Sequence, residues 1–371
     1  MGAPLTAAYR TIRRRFGAML RELRLYARML SQSGEPRLLA MLSDDEKIGA
    51  TYLRATSIAE ELSRRGWKTA VCPVHLSLRQ RKRVVRLFRP DVILIQMNRH
   101  PLNVPQHFRP VPCVFDIDDA DFQTGEQLPR VLDNMRGCTR IIAGSNYIAD
   151  WCRQHNDAVD VVWTATPVLD APSRPQAERG PIVSWAASGP TGYPLEADFT
   201  IEVMALVAKA RSDVRFRLYA DDGSPPYQAL VDRFRARGVP TETLPTMGYD
   251  RFLASLEEVA VGLNPLVNVE GFSAGKSFGK LLGYLHARVP SISHPNGEHP
   301  HFFETGRNGY LAETPEQWAR IILDLLDDAP LRQRIADAAH DDLLNRLSLR
   351  AGTDQVDAIL RRAIAEGPRL P

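Results

Sequence analysis

Cysteine is scarce in this chain. Four of its 371 residues are cysteine, Cys72, Cys113, Cys138 and Cys152, and no two form a C-x-x-C pair. That excludes a zinc knuckle and the disulfide framework that staples small secreted domains. Long apolar runs are missing too. Nothing approaches the roughly 18 uninterrupted apolar residues that span a bilayer, and the N-terminus lacks the continuous apolar segment of a secretory signal. Acidic residues are almost missing from the first thirty positions. Seven arginines stand there against Glu22, a net of +6, so with +3 for the whole chain the remainder carries −3. Such a basic tail meets phosphate, either lipid or nucleic acid. No aromatic residues interleave with the basic run Arg79–Arg83, which argues against nucleic acid. The expected setting is the cytoplasm, with a peripheral address on the inner membrane face.

What is present builds two cores. The length exceeds one ordinary domain. Residues 6–30 read as one helix, because Ile12, Phe16, Met19, Leu20, Leu23, Ala27 and Leu30 recur at helical spacing with arginines mostly between them. This helix either packs its apolar stripe on the domain beside it or lies on an anionic membrane surface. The run Arg79-Gln-Arg-Lys-Arg83, continued by Arg86 and Arg89, is either a solvated face or a second phosphate-attracting patch.

From Pro36 short apolar runs alternate with helical segments. Strands are predicted at 37–42, 68–74, 92–97, 111–115, 140–143 and 159–163, and a helix at 50–65 closed by Gly66. Val92 to Met97 is almost purely apolar, the pattern of a strand buried on both faces of a parallel sheet. Residues 36–166 therefore predict a doubly wound α/β domain. Four prolines in 167–181 predict an extended connector. A second α/β series fills 182–350, with strands at 182–186, 214–219, 259–263 and 290–293. Its helix after Thr314 has a full start signal: Thr314 as cap, Pro315 first and Gln317 three residues after the cap. A last helix, 351–371, is expected to pack back on the first domain. Two such halves imply a cleft between them for ligands.

The most informative stretch is Glu270-Gly-Phe-Ser-Ala-Gly-Lys-Ser-Phe-Gly-Lys-Leu-Leu-Gly-Tyr-Leu-His-Ala-Arg-Val-Pro-Ser-Ile-Ser293. Gly306-Arg-Asn-Gly309-Tyr-Leu, Glu316-Gln-Trp-Ala and Leu323-Asp-Leu-Leu follow it. In order and spacing this resembles the C-terminal half of the retaining glycosyltransferases of family 4. Val114-Phe-Asp-Ile-Asp-Asp119 and Ala143-Gly-Ser145-Asn-Tyr-Ile-Ala are similar, more loosely, to segments of the other half. The resemblance implies the GT-B fold, two Rossmann-like doubly wound domains facing across a cleft. It also implies transfer of a hexose from a UDP or GDP sugar to a glycan or lipid-linked acceptor, with retention. Neither metal nor cofactor is then required beyond the donor itself.

Leaving-group chemistry names the candidate residues. A departing nucleoside diphosphate gains negative charge, which cations and backbone amides stabilise. Lys276 and Lys280 stand four apart at a predicted helix start and share a face; Ser277 is a hydrogen-bond donor beside them. Glu270, Gly271, Phe272 and Ser273 precede them in the same donor loop. Ser188, Gly189 and Thr191 offer hydroxyl and amide donors to phosphate, or form a plain turn. Met247 falls in the loop that the resemblance assigns to the base. Gly49, in the first strand-to-helix loop, lets backbone approach the donor phosphate. Asp118 and Asp119 are the candidates for acceptor contact or general base. An Asp-x-Asp metal role belongs to the other major glycosyltransferase fold. His294, His299 and His301 surround Glu298 in a loop expected to touch the transferred sugar.

Two departures stand against the family pattern. Gly283 replaces the Glu that commonly binds the donor ribose, and no basic residue occurs between Ile182 and Val203. They motivate an alternative, a non-catalytic binding or scaffold protein of the same architecture. An epimerase of that fold is a second alternative.

Overall fold

The computed structural model describes residues 33–46, 49–97, 99–168, 173–187, 189–267, 270–275, 278–279 and 281–369, together with 19, 20, 22, 23, 25–27 and 29–31. The chain forms two compact units: residues up to Pro167 with those from Leu349 onward, and Val168–Ser348.

Unit 1 runs β1 (Arg37–Met41), α1 (Ser57–Arg64), β2 (Lys68–Cys72), α2 (Leu78–Phe88), β3 (Val92–Gln96), β4 (Cys113–Ile117), α3 (Leu128–Gly137), β5 (Arg140–Ala143), α4 (Asn146–Cys152) and β6 (Val159–Val161). Its strands pair in the order β2-β1-β3-β4-β5-β6, every pair parallel. The uniformly apolar runs follow from this. Leu38, Ala40, Val92 and Leu94 enter one core, while Leu39, Met41, Ile93 and Ile95 enter the core on the opposite face. The helix expected at 50–65 is interrupted by a π-turn, Tyr52–Thr56, where the Ser57 amide donates to the Tyr52 carbonyl.

Unit 2 runs β7 (Ile182–Trp185), α5 (Pro194–Ala210), β8 (Arg215–Asp221), α6 (Pro225–Ala236), β9 (Thr241–Pro245), α7 (Tyr249–Leu256), β10 (Val261–Asn264), α8 (Leu281–His286), β11 (Ser291–Ser293), α9 (His299–Phe302), β12 (Tyr310–Leu311), α10 (Pro315–Asp327) and α11 (Ala329–Asp342). Its order is β12-β11-β10-β7-β8-β9, again all parallel. β9 and β12 are additions to the predicted strands. β9 is a polar edge strand, held by the pair between Arg217 Nε and Glu242 Oε1 at 2.6 Å, and β12 has two residues. At α10 the Thr314/Gln317 capping box forms as its sequence specifies.

Residues 173–181, within the proline-rich stretch, pack on unit 2. Gln176 Nε2 donates to the Arg288 carbonyl at 2.6 Å, and Arg332 Nη2 donates to the Gln176 carbonyl at 2.8 Å. After unit 2 the chain returns to unit 1 as α12 (Leu349–Glu366). Val356, Ile359, Leu360 and Ala363 join the core there, and Trp67 Nε1 donates to Asp357 Oδ1 at 2.6 Å.

All four cysteines are buried and free. No helix of the described residues is long and apolar enough to cross a membrane. The described part of the N-terminal helix packs on unit 1 through Leu25 and Met29. The stripe carrying Met19, Leu20, Leu23 and Leu30 remains exposed. The apolar spacing thus marks a different face from the one that docks.

Candidate functional site

In an open parallel sheet ligands collect beyond the carboxyl ends of the strands, where the strand order reverses direction. Unit 1 reverses between β1 and β3, and unit 2 between β7 and β10.

At the unit 1 reversal Gln96 closes β3. Its Oε1 accepts from Ser43 Oγ at 2.8 Å, the Ser43 amide at 3.3 Å and Thr51 Oγ1 at 3.2 Å. This ties the loop after β1 to the helical turn that begins at Gly49, whose φ is +40°. Immediately beside it β4 ends in the aspartate run. The π-turn points Arg54 into the protein, where the buried guanidinium grips Asp116 with two bonds: Nε to Oδ1 at 2.8 Å and Nη2 to Oδ2 at 2.7 Å. Its Nη1 donates to the Val162 carbonyl at 3.0 Å and to Thr164 Oγ1 at 3.1 Å. Four of the five N–H donors of Arg54 are therefore committed.

Asp118 sits 4.0 Å from Arg54 Nε with its side chain 10% exposed. Among the described residues its Oδ1 has no hydrogen-bond partner. Burial pushes this carboxyl up to about 7; Arg54 pulls against that, and the charges of Asp116 and Asp119 add to it. A buried carboxyl with a free oxygen and a proton exchangeable near neutrality can accept or donate a hydrogen bond to a hydroxyl. Asp119 is held differently. Arg99 Nη2 pairs with Asp119 Oδ2 at 2.5 Å and with Asp121 Oδ1 at 2.9 Å. Gly144 makes room for the loop, since a Cβ there would stand 2.7 Å from Asp118 Cα.

The unit 2 reversal is flanked by two loops, the one after β7 and the one after β10. Gly189 and Thr191 belong to the first, Gly189 half-buried and Thr191 exposed. A 3₁₀ turn at Pro190–Gly192 leads into α5, and Tyr193 makes no side-chain cap at its start. Glu270, exposed, and Gly271 belong to the second loop, which forms a 3₁₀ turn at Gly271–Gly275. Ser188, Lys276, Ser277 and Lys280 lie outside the described residues, as do the side chains of Phe272 and Ser273. Phe278 is buried against Phe302, ring centroids 5.2 Å apart, and its carbonyl accepts from the Leu281 amide at 2.7 Å. Met247 is half-buried just past β9, at the sheet edge, so β8 separates its strand from the reversal.

A neutral network stiffens these loops. Tyr284 of α8 donates to the Ser184 carbonyl at 2.9 Å and accepts from the Ala186 amide at 2.8 Å, binding α8 to the end of β7. Asn264, at the end of β10, donates to Ser293 Oγ at 2.8 Å, and Ser293 Oγ donates back to the Asn264 carbonyl at 3.1 Å. That leaves Ser293 Oγ to accept from His299 Nδ1 at 2.8 Å, so His299 Nε2 accepts from Asn264 Nδ2 at 3.3 Å. His294 Nδ1 accepts from the Leu266 amide at 3.2 Å. Burial lowers both imidazoles to about 4. His294 and His299 are thus internal struts, and the sugar-contact expectation for them is corrected. His301 is exposed, and its carbonyl accepts from Arg346. No group of three or more His, Cys, Asp or Glu suited to a metal occurs among the described residues.

Gly283 has a packing reason. A Cβ there would stand 2.6 Å from Phe252 Cε1, so α8 lies against α7 only because position 283 is bare. Arg54, Gln96 and Tyr284 escaped the sequence reading. Gln96 left a faint signal, a polar residue closing an apolar strand; Arg54 left none, because only the π-turn aims it inward.

The sequence matches no protein-family model and no curated protein. Solved structures are similar in fold. HepE from Anabaena, solved with UDP and glucose, superposes with a TM-score of 0.63 at 15% identity, covering 88% of this chain and 100% of that one. Sucrose-phosphate synthase from Thermosynechococcus elongatus gives 0.66 at 11% identity, covering 89% and 100%. TarM from S. aureus gives 0.57 at 15% identity over 76% of this chain, which spans 58% of the length of TarM. The likeness establishes the GT-B fold, with two Rossmann-like domains.

Proposed function

We propose that the chain is a glycosyltransferase that moves a hexose from a nucleotide sugar, UDP- or GDP-linked, to a glycan or lipid-linked acceptor. The observation that carries this reading is topological. The glycine-rich segment beginning at Glu270 leaves β10 at the unit 2 reversal, and the sequence places Lys276 and Lys280 in it. That is where a parallel sheet offers a phosphate site. Fold likeness to a protein solved with UDP and glucose supports the same reading. The resemblance to family 4 adds retention and independence from metal, with the donor phosphate taking the acceptor proton and Asp118 orienting the acceptor hydroxyl. A lipid-linked acceptor would be met at an anionic membrane surface on the cytoplasmic side.

Calorimetry with UDP, GDP and their sugars tests the donor half. One nucleotide should bind, and Lys280→Ala should weaken it by about tenfold or more, since a charge-assisted contact to phosphate is lost. Heat from none of them would favour the scaffold alternative. Consumption of a bound nucleotide sugar without any acceptor would favour the epimerase.

One observation favours a second stereochemical reading. The unpartnered Oδ1 of Asp118, on a carboxyl that titrates near neutrality, is what an inverting enzyme needs as general base. The anomeric configuration of the first-formed product, read by proton NMR, decides between the two.

A further inference from the structure

The N-terminal helix is fastened to unit 1 by a carboxylate as well as by its apolar residues. Glu22 is buried; its Oε1 accepts from Tyr26 at 2.7 Å and its Oε2 from Gln80 Nε2 at 2.8 Å, with Arg83 Nη1 at 3.4 Å. Gln80 and Arg83 belong to α2, so the two helices lie side by side. At 100° per residue, Met19, Leu20, Leu23, Ala27 and Leu30 form a second stripe about a third of a turn from the docked one. Met19 is 48%, Leu20 39%, Leu23 53% and Leu30 86% exposed. Leu87, at the end of α2, is 58% exposed. These are five of the nine large exposed apolar side chains among the described residues. They are concentrated on two adjoining helices.

The outward face of α2 supplies the charge. Arg79, Lys82, Arg83 and Arg86 are exposed at helical spacing, Arg89 follows, and α2 holds no acidic residue. Exposed apolar side chains beside a one-sign basic row match the two layers of an anionic bilayer surface, acyl boundary and phosphate headgroup. Nucleic acid would use the row and leave the leucines in water.

We propose that the exposed stripe of the N-terminal helix and the basic row of α2 form one surface that docks unit 1 on an anionic phospholipid bilayer. The helix acts as a fixed rib of the domain, so the whole unit approaches the membrane in one orientation. This deepens the membrane side of the proposed function and rests on that part of it. Sugar transfer is tested separately by nucleotide calorimetry, so either can fail without the other.

Flotation of the full chain with vesicles tests it. Binding is expected to phosphatidylcholine vesicles carrying about 30% phosphatidylglycerol, and not to pure phosphatidylcholine. It should weaken as salt rises. The pair Leu23→Asp and Leu30→Asp should lower the bound fraction at least tenfold, as should Arg79→Glu with Arg86→Glu, while UDP or GDP binding is unchanged. Because both pairs are exposed, unaltered thermal melting should accompany the loss. The proposal is overturned if anionic vesicles do not bind, or if the aspartate pair binds as well as the parent. It is also overturned if duplex DNA binds as tightly with the aspartates in place, or if they dissolve a dimer of the parent chain.

Discussion

The two units share a plan and differ in how the carboxyl edge of each sheet is furnished. Unit 1 places charges there: Arg54 with Asp116 and Asp118, and Arg99 with Asp119 and Asp121. At its reversal unit 2 places neutral groups, with Asn264, Ser293 and His299 exchanging hydrogen bonds and Tyr284 bonded to Ser184 and Ala186. Desolvated charges shift one another's protonation, so unit 1 can hold a proton poised. A saturated neutral network holds shape and leaves the charge to the ligand and the flanking loop. Under the proposed function, the difference suits an acceptor hydroxyl in unit 1 and a diphosphate in unit 2.

Acidification should give the largest effect, and in opposite senses. His294 and His299 stay neutral in the fold down to about 4. In the unfolded chain they charge near the usual 6.5. The unfolded state thus binds more protons as pH falls from about 6.5 to about 4, and stability contributed by these groups is lost over that window. At about 1.4 kcal/mol per pKa unit the two together amount to several kcal/mol. Asp118 has the other sign. Its folded pKa is raised from 3.8 to about 7, so its contribution is complete below 3.8 and is lost as pH rises through about 7. His100, lowered to about 4 by burial and by Arg81, offsets part of that gain within unit 1. Hydrogen exchange followed from pH 7 to 4 should therefore show unit 2 losing protection first. Equal loss in both units would break the contrast.

Asp118→Asn addresses the charged unit alone. The amide keeps the shape and removes the exchangeable proton. Under retention the expected loss in kcat is about tenfold to a hundredfold, the worth of a charge-assisted hydrogen bond to the acceptor. The parent kcat/KM should rise with pH through about 7, as the carboxyl ionises, and the variant should lack that limb. A fall of about 10²–10⁴ with an inverted product would make Asp118 the base. An unaltered pH profile would remove Asp118 from the reaction.

Much of this architecture was legible because it rests on periodicity. The four inner strands of unit 1 show as apolar runs, since they are buried on both faces, while the edge strands β2 and β6 are only partly buried. β9 did not show, because an edge strand such as Thr-Glu-Thr-Leu-Pro satisfies its charges sideways, through Arg217. The aspartate run was legible as chemistry, but its internal division was not. Asp116 is spent on Arg54, and that pairing depends on one extra residue in a helical turn, which no spacing rule announces. His294 and His299 misled for a related reason. Three histidines in eight positions look like ligand contacts until the hydroxyl and amide that bind His299 are seen to come from β11 and β10.

The smallest expected effect tests whether unit 2 is shaped by packing. In an exposed helix, Gly→Ala would stabilise by about 1 kcal/mol. At position 283 the new methyl meets Phe252, whose ring lies edge-on to Tyr219 at 5.3 Å. Overpacking of that kind costs about 1–3 kcal/mol, so Gly283→Ala should be mildly destabilising, by about 1 kcal/mol net, in chemical denaturation. Its nucleotide affinity should change less than twofold, because the added atom faces α7. Gly283→Glu should destabilise further and gain no affinity, although it introduces the residue type carried there by the family 4 enzymes that the sequence resembles. If that glutamate tightened nucleotide binding at no cost in stability, position 283 would face the ligand. The neutral frame of unit 2 would then accept a charge beside its ligand, and the contrast between the units would fail at that position.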